Sequence, residues 1–234
     1  MGKLIILSGP SCVGKGPMTS AMKAYCKANG KTLVKHVLYN DRPLRLGEQD
    51  GVTYHFRSTV ELNSLYNSNQ DRYHLYPVNA KKTNYQMLDK YMLIDELNKN
   101  DVVLLEILIT EVNVPIALCN SIPFIAEQIF IEPFSDADYF DMGCVTQASK
   151  DAAVVAAMLN KLINRSTEGR DDQLKRALRV PKEIQDAKAS GAKFITNHFG
   201  EDNSRLWGLL EEFVSHPGSC EIFETFMEFR KLIQ

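Results

Sequence analysis

The chain has 234 residues, a length that suits one catalytic domain with a substantial buried core. Its 27 basic and 29 acidic side chains give a formal charge of −2, so no broad electrostatic attraction draws it to nucleic acid or to an anionic membrane. Five scattered cysteines without a CxxC pair indicate neither a disulfide framework nor a zinc site. No signal-like segment or long apolar run is present, so we expect a cytoplasmic protein.

Short apolar runs predict buried strands, and stretches with helical spacing separate them. The runs cover residues 3–8, 32–38, 101–109, 129–132 and 193–196. Between the first two runs, Met18, Met22 and Tyr25 fall on one helical face, and Asn29-Gly30 predicts the end of that helix. This order is a βαβ unit, so we expect an α/β fold of the P-loop NTPase type, with a parallel sheet covered by helices.

A glycine-rich turn follows the first predicted strand directly. It reads Gly-Pro-Ser-Cys-Val-Gly-Lys-Gly, and a helical pattern begins at once after it. In such phosphate loops the backbone N–H groups surround phosphate, and the helix N-terminus adds about half a positive charge. We therefore expect the phosphates of ATP to bind Gly9, Pro10, Ser11, Cys12, Val13, Gly14, Lys15 and Gly16. Lys15 is the side chain that can reach the outer phosphates.

The residue after that lysine is a departure from the usual phosphate loop. A Ser or Thr hydroxyl normally stands there and touches Mg²⁺, whereas this chain has Gly16. Water or the nearby Thr19 would then replace the hydroxyl. The substitution affects metal placement more than phosphate binding.

A second polar segment lies between residues 41 and 56. Arg42 and Arg45 stand three apart across a proline, and Tyr54 follows them. These three side chains could bind one phosphate group, because guanidinium groups suit phosphate oxygens and a phenol adds a neutral donor. Taken alone, the segment is equally compatible with an ordinary polar loop.

Together the motifs resemble those of the guanylate kinase family. The match consists of Gly-Pro-Ser-x-Val-Gly-Lys from residue 9, Arg-Pro-x-Arg-x-Gly-Glu-x-Asp-Gly-Val-x-Tyr-His-Phe from residue 42, and Arg-Ser-Thr-Glu from residue 165. The resemblance covers roughly residues 3–203. It implies transfer of the γ-phosphoryl group of ATP, with Mg²⁺ as cofactor, to GMP or dGMP. Small-molecule nucleotides are then the only expected partners.

The resemblance also implies roles for individual residues. Lys15 would hold the donor phosphates, and Arg42, Arg45 and Tyr54 would hold the acceptor phosphate. Arg165 and Arg176 would be arginines of a mobile lid. The catalytic group implied in this way consists of Lys15, Arg42, Arg165 and Arg176.

The same resemblance implies a single domain with recognisable parts. A core would comprise residues 1–34, 98–135 and 181–215, with an acceptor-binding arm at 35–97 and a lid at 136–180. Relative to the family, the lid holds extra sequence, and a further helix is predicted at 219–234. The aromatic stripe of that helix is compatible with core packing in a monomer or with a homodimer contact.

The departures from the family fall where it reads the guanine base. Glu106 is kept, but Leu108 replaces a second acid, and Leu75 is expected where another acidic reader stands. Tyr85 is the remnant of a Tyr-Gly-Ser element that binds substrate. Glu106 could organise Mg²⁺ through water, or it could be a carboxylate paired with Lys or Arg at the edge of the core.

Two alternatives to the guanylate kinase hypothesis therefore stay open. The first is the same chemistry on another nucleotide, since the leucines would suit a base with fewer donors. The second is a catalytically weak binding module of the same fold. Retention of Lys15 argues against the second, since a peptide-binding module has no need of that lysine.

Overall fold

The computed structural model describes residues 2–45, 47–78, 84–165 and 169–197. Nine strands lie in these ranges: β1 Lys3–Ser8, β2 Leu33–Lys35, β3 Tyr39–Asn40, β4 His55–Phe56, β5 Tyr73–Pro77, β6 Tyr85–Asp89, β7 Val102–Glu106, β8 Ile125–Glu132 and β9 Lys193–Thr196. Eight α-helices alternate with them: α1 Lys15–Ala28, α2 Thr59–Ser68, α3 Lys90–Lys99, α4 Asn113–Ser121, α5 Asp136–Asp141, α6 Gln147–Arg165, α7 Arg170–Ala177 and α8 Val180–Ala189. A short 3₁₀ turn covers Ile109–Glu111.

The central sheet has five strands in the order β2-β7-β1-β8-β9. Strand β2 runs parallel to β7, with Lys35 opposite Leu104, and β8 runs parallel to β9, with Glu132 opposite Thr196. Leu4 to Leu7 in β1 are fully buried, as expected for strands that helices cover on both faces. The predicted α/β fold with a parallel sheet is thereby confirmed.

The chain divides into two compact units, and the division passes through β1. The first unit comprises residues 1–6 and 32–126, and the second comprises residues 7–31 and 127–234. The phosphate loop and helices α5 to α8 belong to the second unit. The arginine segment at 41–56 belongs to the first. The predicted core, arm and lid boundaries stay predictions, and residues 198–234, including the predicted terminal helix, lie outside the described residues.

A second sheet, of four strands in the order β4-β3-β6-β5, lies within the first unit. On one face, Leu62 of α2 packs with Tyr73 and Met87, and partly buried side chains surround them: Tyr39, Leu65, Tyr66, Leu75 and Tyr85. Successive side chains of a strand point to opposite faces. His74, Tyr76 and Gln86 therefore lie on the other face of this sheet.

No helix in the described part of the chain is both long enough and apolar enough to span a membrane.

Candidate active site

The phosphate loop lies between β1 and α1 and depends on unusual backbone conformations. Gly9 and Gly14 have φ of 149° and 100°, in the range that favours glycine. Cys12 also has a positive φ, of 68°, which side chains rarely adopt. The turn closes with a hydrogen bond from Val13 N–H to the carbonyl of Pro10, at 3.4 Å. The loop thus has the wrapped form that backbone anion sites require.

Lys15 lies inside this loop at the start of α1. Its ammonium group donates to the carbonyl oxygens of Gly9, at 2.7 Å, and Pro10, at 2.8 Å. Both acceptors belong to the loop itself, so the positive charge is held where the loop would receive phosphate. The role that the sequence predicts for Lys15, holding the donor phosphates, stays a prediction.

Two side chains from later elements attach to the same loop. Arg176 of α7 donates from Nη2 to Oγ of Ser11, at 2.5 Å. Asn197, which follows β9 and is 2% exposed, donates from Nδ2 to the carbonyl of Val13, also at 2.5 Å. The structure therefore places Arg176 at the phosphate loop, and its expected role as a lid arginine stays a prediction. Asn197 was not predicted, although a polar residue at the carboxyl end of a parallel strand is a usable signal.

Glu183 of α8 is a further member of this neighbourhood that sequence reasoning missed. Burial raises the pKa of its carboxyl group, while the nearby charges of Lys15, Arg179 and Arg176 oppose the rise. In the sequence it is an ordinary acid in the first turn of a helix, where it would stabilise the helix dipole. Nothing in the sequence distinguishes Glu183 from other acidic residues in the first turn of a helix.

Arg165, the other predicted lid arginine, is the last residue of α6. Its side chain lies outside the described residues, so its predicted role stays a prediction.

Arg42, in the first unit, is fixed by a carboxylate and by two rings. Its Nη1 and Nη2 atoms donate to the two carboxylate oxygens of Glu48, at 2.6 and 2.5 Å. The hydrogen bonds from Arg42 hold the pKa of Glu48 below its usual value, although burial opposes this. The guanidinium carbon lies 5.3 Å from the ring centroids of both Tyr54 and Phe56. The backbone N–H of Arg45 also binds Glu48, at 2.9 Å, so the segment forms one connected network.

Glu106, at the end of β7, is paired with Lys35 at the end of β2. The distance from Lys35 Nζ to Glu106 Oε2 is 2.8 Å. Burial raises the pKa of the Tyr54 phenol, and the Glu106 carboxylate raises it further. Tyr54 therefore stays protonated and can donate a hydrogen bond. Arg42, Arg45, Tyr54, Glu106 and Lys35 all belong to the first unit, and the roles expected of the first four stay predictions.

The predicted base-reading positions lie on the second sheet. Leu75 and Tyr85 both lie in the cluster around Leu62, on the face of that sheet that packs on α2. The opposite face carries Tyr76, whose phenol donates to Gln86 Oε1 at 3.1 Å. The substrate-binding role expected of Tyr85 stays a prediction.

Next to Tyr76 on this opposite face, His74 contacts a carboxylate group. The Nε2 atom of His74 lies 2.9 Å from Oε2 of Glu111, and its ring stacks on that of Tyr76 with centroids 5.3 Å apart. Tyrosine, glutamine and histidine thus occupy this face, and Leu75 does not.

The described side chains offer magnesium no site of direct coordination by several acids or histidines. Across the described ranges, no group of three or more His, Cys, Asp or Glu side chains could hold a metal ion. Thr19 is 5% exposed, and its hydroxyl donates to the carbonyl of Lys15 at 2.9 Å, so it does not stand in for the hydroxyl missing at Gly16. The phosphate loop thus fits an ion that arrives with the nucleotide and keeps its water. Glu106 shares its carboxylate with Lys35, and its expected role toward Mg²⁺ through water stays a prediction.

The chain is similar to guanylate kinases in sequence and in fold. The family model described as guanylate kinase matches residues 1–168. Guanylate kinase of Synechococcus sp. is 41% identical over 64 residues, which cover 27% of this chain and 28% of that protein. Guanylate kinase of Mannheimia succiniciproducens is 42% identical over 66 residues, which cover 28% and 31%. The chain therefore matches less than a third of the length of these relatives.

Among solved structures, guanylate kinase from Anaplasma phagocytophilum superimposes with a TM-score of 0.51. The match covers 100% of this chain and 97% of that one, at 19% sequence identity. At that identity, the comparison supports the fold alone.

Proposed function

Because the chain belongs to the guanylate kinase family, we propose that it is an ATP-dependent nucleoside monophosphate kinase that transfers the γ-phosphoryl group of MgATP to GMP or dGMP. The network of Arg42, Glu48 and Tyr54 carries this proposal. Glu48 holds one edge of the Arg42 guanidinium group, and the protonated Tyr54 phenol lies beside it. A phosphate monoester would meet the Nε and remaining Nη2 donors of Arg42 together with that phenol. A protein that only bound peptide would gain nothing from this arrangement.

The donor nucleotide would bind the loop of residues 9–16. Backbone N–H groups would surround the phosphates, and Lys15 would turn from the carbonyls of Gly9 and Pro10 toward the phosphate oxygens. The bond between Arg176 and Ser11 supports the assignment of Arg176 to the same phosphates. Magnesium, bound with the nucleotide, neutralises phosphate charge in reactions of this class.

The acceptor nucleotide would bind the first unit through its phosphate. Arg42, Arg45 and Tyr54 would hold that phosphate, and Glu48 would keep Arg42 oriented. An oxygen of the acceptor phosphate then attacks the γ-phosphorus, and the bond between that phosphorus and the β,γ-bridging oxygen breaks. The products are ADP and a nucleoside diphosphate. Positioning and charge stabilisation supply most of the catalysis in such transfers.

The test is release of ADP from MgATP in the presence of AMP, GMP, dGMP, CMP, UMP or dTMP, with a control lacking acceptor. We expect selective stimulation by GMP and dGMP. Leu108 stands where the family has a second acid that reads the base, so the panel includes every common base. Stimulation by another nucleotide alone would assign the same chemistry to that acceptor. If no acceptor stimulates ADP release while ATP still binds, the kinase proposal is overturned and a binding module is favoured.

Two variants test the assigned residues. Arg42→Ala should raise the KM for the acceptor or abolish turnover while leaving ATP affinity intact. Lys15→Ala should reduce turnover severely, and Lys99→Ala is the matched control, since Lys99 forms only an exposed ion pair with Asp95. Unchanged kinetics in Arg42→Ala would show that the acceptor phosphate binds elsewhere.

A further inference from the structure

Lys35 is a charged residue of the first unit to which the sequence assigns no role. It ends β2, which pairs in parallel with β7, so its side chain comes beside Glu106 at the end of the neighbouring strand. The carboxyl ends of parallel strands are where ligands of α/β sheets bind. The position of Lys35 therefore favours a ligand-binding role.

The exposure of the pair argues against a purely structural role. The side chains of Lys35 and Glu106 are each 24% exposed, so they are neither sealed in the core nor free on the surface. By contrast, Lys99 and Asp95 form an ordinary surface pair with side chains 68% and 58% exposed. A partly open ion pair at a sheet edge can be reached by a ligand.

Tyr54 connects this pair to the predicted acceptor site. The guanidinium carbon of Arg42 lies 5.3 Å from the centroid of the Tyr54 ring. Burial raises the pKa of its phenol, the Glu106 carboxylate raises it further, and the charges of Lys35 and Arg42 oppose the rise, so the Lys35–Glu106 pair acts on the same phenol that Arg42 contacts. Lys35 belongs to the same cluster as Arg42.

The charge of Lys35 matters to an incoming phosphate. With Lys35 in place the pair that it forms with Glu106 is neutral. Without Lys35, the carboxylate of Glu106 would repel a phosphate monoester, which carries close to two negative charges at neutral pH. Burial works to lower the pKa of Lys35, but the adjoining Glu106 outweighs it, so the pKa lies above its usual value and the ammonium group stays charged. One of its three N–H donors is directed to Glu106, which leaves two for a ligand.

We propose that Lys35 is an additional acceptor-binding residue, whose ammonium group contacts the phosphate of the acceptor nucleotide while Glu106 holds it in place. The inference rests on the proposed function, since it needs a mononucleotide at this site. It makes Lys35 the partner of Arg42 in binding one phosphate. Glu106 then acts as a positioning residue for a cation.

The experiment is calorimetric titration of GMP, or of whichever mononucleotide stimulates ADP release, into four proteins: wild type, Lys35→Met, Lys35→Met/Glu106→Gln, and the control Lys99→Met. Loss of a charged hydrogen-bonding partner should weaken acceptor binding by about 30-fold or more in Lys35→Met. The affinity for a non-hydrolysable ATP analogue should not change. Lys35→Met alone leaves the Glu106 carboxylate without its lysine, which could destabilise the fold. The double variant removes that charge as well, so the test still works if the single variant does not fold.

The double variant also distinguishes two roles for Lys35: contacting the acceptor phosphate, or only neutralising the charge of Glu106. If Lys35 contacts the phosphate, the double variant binds as weakly as Lys35→Met or nearly so. Wild-type affinity in the double variant would show that Lys35 only neutralises Glu106, and wild-type affinity in Lys35→Met would remove it from the site. Either result overturns the inference while leaving the kinase proposal intact. Failure of wild-type protein to bind any mononucleotide would instead count against the proposed function.

Discussion

The carbonyl oxygen of Ile131 lies 2.6 Å from the point where a Cβ atom on Gly9 would stand. Real Cβ atoms do not approach backbone oxygens this closely, and the φ of 149° at Gly9 is itself unfavourable for other residues. We therefore expect Gly9→Ala to displace the start of the phosphate loop from β8. Affinity for an ATP analogue should fall by roughly fivefold to a hundredfold or more, since a strained backbone of this kind costs on the order of 1–3 kcal/mol.

Gly16→Ala is the matched control for that variant. No atom lies within 4 Å of the Cβ position at Gly16, and its φ is not in the left-handed range. Its nucleotide affinity should stay within about twofold of wild type, because alanine also favours the helix that begins here. Equal affinity of the two variants for the nucleotide would contradict the steric argument.

The open space at Gly16 also allows the missing hydroxyl to be restored. A serine side chain fits there, next to Lys15 at the start of α1. We expect Gly16→Ser to lower, by a few-fold, the Mg²⁺ concentration that gives half-maximal ADP release, since a hydroxyl at this position can touch the ion. A magnesium titration at fixed ATP measures the change, with Gly16→Ala as reference. An identical titration curve for both variants would show that metal placement does not depend on this residue.

Asp89 should be a major determinant of stability in the first unit. It is 1% exposed, accepts hydrogen bonds from Arg72 Nη2 at 2.7 Å, and caps α3 through the N–H groups of Tyr91 and Met92. Asp89→Ala removes both a charged hydrogen bond and a helix cap, so the free energy of unfolding should fall by on the order of 3 kcal/mol. Urea denaturation measures this loss. Asp95→Ala, which breaks only an exposed ion pair, should cost under about 1 kcal/mol.

Glu132 predicts how the stability of the second unit depends on pH. Burial raises the pKa of its carboxyl group to about 7, while a hydrogen bond from Thr196 opposes the rise. A raised folded-state pKa means that the native protein holds the proton more tightly than the unfolded chain does. The resulting stabilisation is fully present below the ordinary glutamate pKa of about 4.3 and is lost as the pH rises through about 7.

Thermal unfolding between about pH 4.5 and pH 8 tests this prediction. Glu132→Gln is neutral at every pH, so the difference in Tm between the variant and wild type should grow in favour of the variant as the pH rises. A difference that does not change with pH would show that Glu132 ionises at its ordinary pKa in the folded protein.

Strands built from continuous apolar runs could be predicted from the sequence. Residues 3–8 and 193–196 have the same limits in the structure as in the prediction, because a strand buried on both faces leaves a plain apolar signal. The run at 32–38 was too long, since only Leu33–Lys35 pairs with β7. The second sheet was not predicted, because β3 and β4 have two residues each and depend on pairing with distant segments.

The same distinction applies to the candidate site. Lys15, Arg42 and Tyr54 could be predicted because glycine and proline fix the local backbone around recognisable motifs. The pairing of Lys35 with Glu106 could not, because the two residues are 71 positions apart and meet only through strand register. The placement of Leu75 depended in the same way on which face of β5 it occupies, and a shift of one residue reverses the face.

The contacts that hold Arg42 in the folded chain have a consequence for the rate of acceptor binding and for its entropy. A free arginine side chain loses up to about 2 kcal/mol of rotamer entropy when it is immobilised. Glu48 and the rings of Tyr54 and Phe56 have already immobilised it in the folded chain. The rotamer entropy of Arg42 is therefore lost when the chain folds and not when the acceptor binds. An arriving phosphate meets a guanidinium group that is already oriented.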